Sequence, residues 1–236
     1  MICLAPAPLK DATIKVLIMH FLPIETDLSF LIKLLSDSGH FSQVQELDIR
    51  RTRPTLKQLR NFDSVLVFGL PDDKSKIHHW KEPDFLGDLL AAYVLGTKES
   101  KKGGVVLGPM THALELGGRW RKQRFNPLLP ARAINSKHCI MGKVLNIKLN
   151  HQIEMVDHPL LQASSCFDGG ECSYRVAGAV NENGANTVLR WGDGLPLVVV
   201  LDEHSVVQRG RVVSLNFLPA SRVTAQQPLD HFWGNF

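Results

Sequence analysis

The sequence predicts an α/β fold, a parallel sheet with helices on its faces. Three observations carry this. Between residues 14 and 107, four short apolar runs alternate with segments of helical pattern, and this order is the signature of a parallel sheet. The first, third and fourth runs are nearly continuous in Val, Ile and Leu rather than alternating, as expected of strands covered on both faces. The chain has 236 residues, of which 44% are apolar, a size and composition suited to one globular domain.

Residues 14–19, Ile-Lys-Val-Leu-Ile-Met, form the first strand. A helix should follow: Thr26 or Asp27 can cap it, Leu28, Leu31, Ile32 and Leu35 give an i, i+3, i+4, i+7 stripe, and Gly39 can end it. Residues 44–49 alternate weakly and read as a second strand, and 54–60 as a short helical turn. Residues 63–69 give a third strand ending in a glycine turn. The second long helix covers about 84–95, with Phe85, Leu86, Leu89, Leu90, Tyr93 and Val94 as its apolar face and Gly96 at its end. Residues 104–108 are the fourth strand.

The pattern then changes. Residues 109–142 are rich in Gly, Pro and Arg and carry no period, and an irregular stretch of that length is usually functional or mobile. From residue 143 the chain reads as β-rich, with strands expected at 143–149, 174–180, 187–191, 197–201 and 211–217. Turns are expected at 168–170, 192–194 and 207–210, so this half should hold antiparallel pairs.

Several function classes are excluded by composition. No wholly apolar run, even counting prolines, is longer than the nine residues 1–9, far short of the roughly 20 a spanning helix needs, so no membrane insertion is expected. The first ten residues lack a basic segment and contain two prolines, unlike a secretory signal. The four cysteines, Cys3, Cys139, Cys166 and Cys172, form no CxxC pair; neither a zinc ribbon nor a redox motif is indicated, and a reduced, cytoplasmic protein is expected. No cofactor and no bound metal is expected. The net charge of +4 is mild, which argues against a dedicated nucleic-acid binder. The charge is uneven, however: Arg50, Arg51, Arg53, Lys57 and Arg60 form one cluster and Arg119, Arg121, Lys122 and Arg124 another.

The ordered set of segments resembles the class I glutamine-amidotransferase-like superfamily, and most of all its ThuA-like and uncharacterised branches. The resemblance runs through Pro54-Thr55-Leu56 into Asp63-Ser64-Val65-Leu66-Val67, then residues 86–94, 103–107 and Gly117-Gly118-Arg119-Trp120. It continues through Asp157-His158-Pro159-Leu160, Phe167-Asp168-Gly169-Gly170, residues 191–198 and 210–217, covering about 14–236. It implies a flavodoxin-like parallel sheet, helices on both faces, and an added antiparallel β-hairpin region.

The chain departs from that family in two places. Active amidotransferases carry a Cys nucleophile on a strained G-x-C-x-G elbow after a strand. The matching strand here runs into Gly108-Pro109-Met110-Thr111-His112, with no Cys, and Thr111 is a poor substitute because a secondary hydroxyl needs a strong adjacent base. The late His-x-Glu pair is missing too, since His158 is followed by Pro159 and Leu160. Secondly, the chain ends at Trp233-Gly234-Asn235-Phe236, where this branch usually continues into a last helix. The expectation is one domain over residues 1–236 that lacks this helix or is a piece of something longer.

Ligands of parallel α/β sheets sit outside the carboxyl ends of the strands. His20, Asp72, Thr111, His112 and Asn216 fall there. His20, Asp72 and His112 could converge to bind a metal or act as acid and base; alternatively, the two histidines bond neighbouring loops and Asp72 starts a turn. The basic loop Arg119, Trp120, Arg121, Lys122 and Arg124 could bind an anion. Residues 111–125 are expected as an exposed loop; the alternative is a loop pinned to the body by Trp120 and Phe125. The primary expectation is a non-catalytic amidotransferase-like domain that binds a ligand or protein, with an acidic protein or a small anion as partner rather than nucleic acid. The alternative is a hydrolase or carbohydrate-active enzyme of the ThuA-like type using His20, Asp72 and His112.

Overall fold

A computed structural model describes residues 14–21, 28–68, 85–97, 102–108, 124–132, 145–148, 168–172, 179–180, 182–190, 196–202 and 209–215. The first strand, β1, spans Ile14–His20, and the helix α1 spans Ser29–Asp37. Strand β2 covers Phe41–Asp48, the short helix α2 Leu56–Leu59, and β3 Ser64–Phe68. Helix α3 covers Phe85–Leu95 and β4 Gly104–Leu107. A 3₁₀ turn at Asn126–Leu128 leads into β5 at Ala131–Arg132. The remaining strands are β6 (Leu145–Lys148), β7 (Asp168–Cys172), β8 (Ala179–Val180), β9 (Asn186–Arg190), β10 (Pro196–Leu201) and β11 (Val212–Leu215).

Seven strands make one sheet in the order β2-β1-β3-β4-β11-β10-β9. The first five places are parallel and have the 2-1-3-4-5 order of flavodoxin-like sheets, with β11 in the fifth place. Strands β10 and β9 then add on antiparallel to close the far edge. Two further antiparallel pairs, β5 with β8 and β6 with β7, supply the added hairpin region.

Local chemistry explains the elements. Helices α1 and α3 are each followed by a glycine in the left-handed region, Gly39 at φ 74° and Gly96 at φ 61°, where a Cβ would be strained. Helix α2 is capped by Thr55, whose hydroxyl accepts the Gln58 N–H at 3.2 Å. The central strands carry apolar residues on both faces. Leu17, Met19, Val65, Val67, Val105 and Leu107 pack in one cluster with Leu86, Leu90 and Val94 of α3 and Leu59 of α2. By strand alternation Val16, Ile18 and His20 turn to the opposite face, where α1 packs against β2 and buries Leu31 and Leu35.

Three sequence expectations need correction. The segment 168–170, expected as a turn, lies in β7, where Asp168 pairs with Lys148 across an antiparallel ladder. Strand β2 begins at Phe41, three residues before the expected start, because it is the edge strand and its polar Ser42 and Gln43 face outward. The stretch 111–125 is not an exposed loop throughout. Phe125 is fully buried in the α3 cluster, with Leu128 and Leu129 beside it, so its end is pinned; residues 111–123, Trp120 among them, lie outside the described residues.

Candidate functional site

The chain runs outward from β1 to β2 and returns to β3 on the other side of β1. That reversal is the switch point where open α/β sheets bind ligands, at the carboxyl ends of the strands. His20 is the last residue of β1, paired in register with Asp48 of β2 and Phe68 of β3. The backbone closes around it: Phe21 N–H donates to the Phe68 carbonyl at 2.8 Å, and Ile49 N–H donates to the His20 carbonyl at 3.0 Å.

The His20 side chain is buried, with 5% of the residue exposed. Its Nε2 lies 2.8 Å from Oε1 of Glu46, a half-exposed carboxylate on β2. The pair has ion-pair separation without hydrogen-bond alignment, and neither ring nitrogen has a hydrogen-bond partner. A buried polar group in that state costs free energy unless something else satisfies it. Of the five sequence-predicted pocket residues, His20 is the one that lies among the described residues.

Beside it stands an arrangement that the sequence reading missed. Asp48 holds Arg50 in a two-bond fork, with Nε at 2.8 Å and Nη2 at 2.7 Å, and also accepts the Arg50 backbone N–H at 3.0 Å. Arg51 reaches the same carboxylate at 3.3 Å. The Arg50 side-chain bonds hold the Asp48 carboxyl below its usual range. Burial opposes this; the backbone bond and the charges of Arg50 and His20 add to it. The available signal was the Asp-x-Arg spacing at the end of β2, which lets the two side chains fold onto one turn.

This pair makes a pH-dependent contribution with a definite sign. Because folding depresses the Asp48 pKa below the ordinary 3.8, the stabilisation is full above that value and is lost as pH falls through the lower folded value. Asp48→Asn is expected to cost about 1–2 kcal/mol at pH 7, the worth of a charge-assisted hydrogen bond. Urea unfolding of both proteins at pH 7 and near pH 3 checks this: the gap should narrow at the lower pH. An equal gap at both would mean the carboxylate is not depressed by its partner.

At the exit of β4 the backbone is tightly packed. A Cβ on Gly108 would lie 2.5 Å from the Phe68 ring and 3.2 Å from the Val67 carbonyl oxygen. The position directly after the central strand thus admits no side chain. Asp72, Thr111, His112 and Asn216 lie outside the described residues, as do Arg119, Trp120, Arg121 and Lys122. Arg124 is described: it is exposed, and its backbone N–H donates to Asp88 of α3 at 3.2 Å. Among the described residues no group of three or more His, Cys, Asp or Glu side chains is placed to hold a metal ion, and no helix is long and apolar enough to cross a membrane.

No family model matches the chain, and no curated protein matches it. Seven chains of solved structures do match. One is a protein of Bacteroides uniformis provisionally described as ThuA-like. It aligns over 98% of this chain and 92% of its own length, with a TM-score of 0.53 and 10% sequence identity. An identity that low speaks to the fold alone: the chain has a ThuA-like α/β fold.

Proposed function

We propose that residues 1–236 form one amidotransferase-like domain of the ThuA-like type that has no amidotransferase chemistry and serves as a ligand-binding or protein-interaction module. The observation that carries this reading is the exit of the central strand β4. Gly108 is packed against Phe68, and the chain continues as Pro109-Met110-Thr111-His112, with no Cys anywhere between Cys3 and Cys139. A thiolate nucleophile at the end of that strand has no residue to supply it. Ligand binding is assigned to the carboxyl ends of the strands, with His20, Asp72, Thr111, His112 and Asn216 as the pocket residues. The basic run ending at Arg124 is the candidate for a protein contact.

Incubation with glutamine is expected to release no ammonia above the buffer rate. Ammonia release that disappears on replacing one of the four cysteines by Ala would overturn the proposal.

One observation favours the second reading, a hydrolase using His20, Asp72 and His112. The buried His20 ring supports it: an imidazole at the end of β1, with the Glu46 carboxylate beside it and no hydrogen bond committing either nitrogen. A panel of p-nitrophenyl glycosides and esters separates the two readings. Turnover that falls at least a hundredfold in His20→Ala would select the hydrolase.

A further inference from the structure

We infer that the first basic cluster, on the β2–α2 segment, joins Arg124 in one surface along α3, and that this surface docks an acidic polypeptide segment. The inference deepens the interaction-module reading and rests on it.

The two basic runs are some sixty residues apart in sequence, yet both reach the first turn of α3. The Arg53 guanidinium stacks on the Phe85 ring, 4.0 Å from its centroid. The Arg124 backbone is bonded to Asp88 at 3.2 Å. Phe85 and Asp88 are three residues apart on one helix, so they are neighbours on one side of it, with Cβ atoms about 5–6 Å apart. Both segments are thus fixed to one helical turn. Exposed charges act over roughly 10 Å at 0.1 M salt, so cations of the two segments would add at a shared rim.

The cations here are solvent-facing. Arg53, Lys57, Arg60 and Arg124 are exposed. Arg51 is 78% exposed and shares the Asp48 carboxylate with Arg50, so two guanidinium groups meet one carboxylate. Lys57 and Arg60 stand three apart on α2 and its last turn, which packs against α3 and continues the surface.

The described aromatic residues favour a polypeptide partner over nucleic acid. Single-stranded nucleic acid needs exposed rings on which bases stack. Among the described residues nearby, Phe85 is covered by Arg53, Phe125 and Tyr93 are fully buried, and Phe62 is 5% exposed. Guanidinium and ammonium groups without a stacking platform suit the carboxylates of an acidic peptide.

The test is fluorescence anisotropy with fluorescein-labelled deca-glutamate, and with labelled dT12 for comparison, on the intact chain. The peptide should bind with a Kd in the micromolar range at 50 mM salt and weaken at least tenfold by 300 mM. The variant Arg51→Gln/Lys57→Gln/Arg60→Gln/Arg124→Gln should lose at least tenfold in affinity and much of the salt slope, with its melting temperature little changed. If that variant melts early, Arg51→Gln/Arg124→Gln gives the same readout and should lose about threefold. Unchanged affinity in the variants, no peptide binding, or tighter binding of dT12 than of the peptide would each overturn the inference. A negative result here together with a negative glutamine assay would remove the acidic-peptide surface alone and leave the non-catalytic reading standing.

Discussion

Val67→Asp is expected to abolish folding. Val67 lies in β3, fully buried, with Met19 of β1 and Leu107 of β4 as its lateral partners in parallel register. Its face is closed by Leu86, Leu90 and Val94 of α3, in the same apolar cluster. A carboxylate there has no cation to pair with among the described residues. Burying an unpaired charge costs several kcal/mol even after relaxation, and protonation, which avoids the charge, still leaves an unbonded polar group. A domain of this size has a total stability of about 5–15 kcal/mol, so one such change is enough. The variant should accumulate as insoluble protein, or show no cooperative thermal transition by circular dichroism. A soluble variant that melts cooperatively within a few degrees of the parent would show that β3 is not central.

The same strand explains why so much of the sheet was legible in the sequence. Val16, Ile18, Val65, Val67, Val105 and Leu107, expected to be nearly fully buried, are each at most 1% exposed. A strand covered on both faces leaves an apolar run that local reading detects, and glycines such as Gly39 and Gly96 mark helix ends because only they take the left-handed backbone cheaply. The edge strand β2 was read short because one of its sides faces solvent, so polar residues are tolerated there. Strand β7 was missed because Asp-Gly-Gly has turn chemistry, and only its pairing with β6 holds it extended.

The site was less legible for a related reason. Position at the end of β1 was enough to select His20, since that end of the sheet follows from the strand's direction alone. Its neighbours Glu46 and Asp48 come from β2, and the lateral register His20 to Asp48 is a long-range fact. The pairing of β11 with β4 is longer-range still, because residues 108–211 intervene. No local pattern shows that Arg53 and Arg124 meet one turn of α3.

Gly103→Ala should be strongly damaging at the opposite, amino end of the sheet. A Cβ on Gly103 would overlap the Tyr93 ring at Cζ, Cε1 and Oη. The ring has nowhere to go. Tyr93 is 1% exposed, and its hydroxyl donates to the Phe62 carbonyl at 3.0 Å, a bond that a rotated ring would break inside the core. Burial and the nearby Asp63 also push the phenol up, so it stays neutral and depends on that acceptor. The backbone cannot yield either. Gly103 N–H donates to the Tyr93 carbonyl at 3.3 Å, Gly210 N–H donates to the Val94 carbonyl at 2.8 Å, and a Cβ on Gly210 would run into the Gly103 carbonyl. Three segments therefore cross at this point: the end of α3, the entry to β4 and the entry to β11. Overpacking costs about 1–3 kcal/mol, and an orphaned buried phenol about 1–3 more, so the expected loss is roughly 3 kcal/mol or above. The adjacent Gly104 is the internal control. A Cβ there meets its nearest neighbours at 3.6–3.9 Å, ordinary contact, and Gly104→Ala should cost under about 1 kcal/mol. Urea unfolding of the two variants, with Gly103→Ala repeated in a Tyr93→Leu background, measures both the size and the cause. The penalty should shrink by more than about 1 kcal/mol once the ring is gone, because residues in direct contact are not additive. Equal costs at 103 and 104, or a penalty at 103 that persists without the ring, would mean that α3 does not close on β4 in this way.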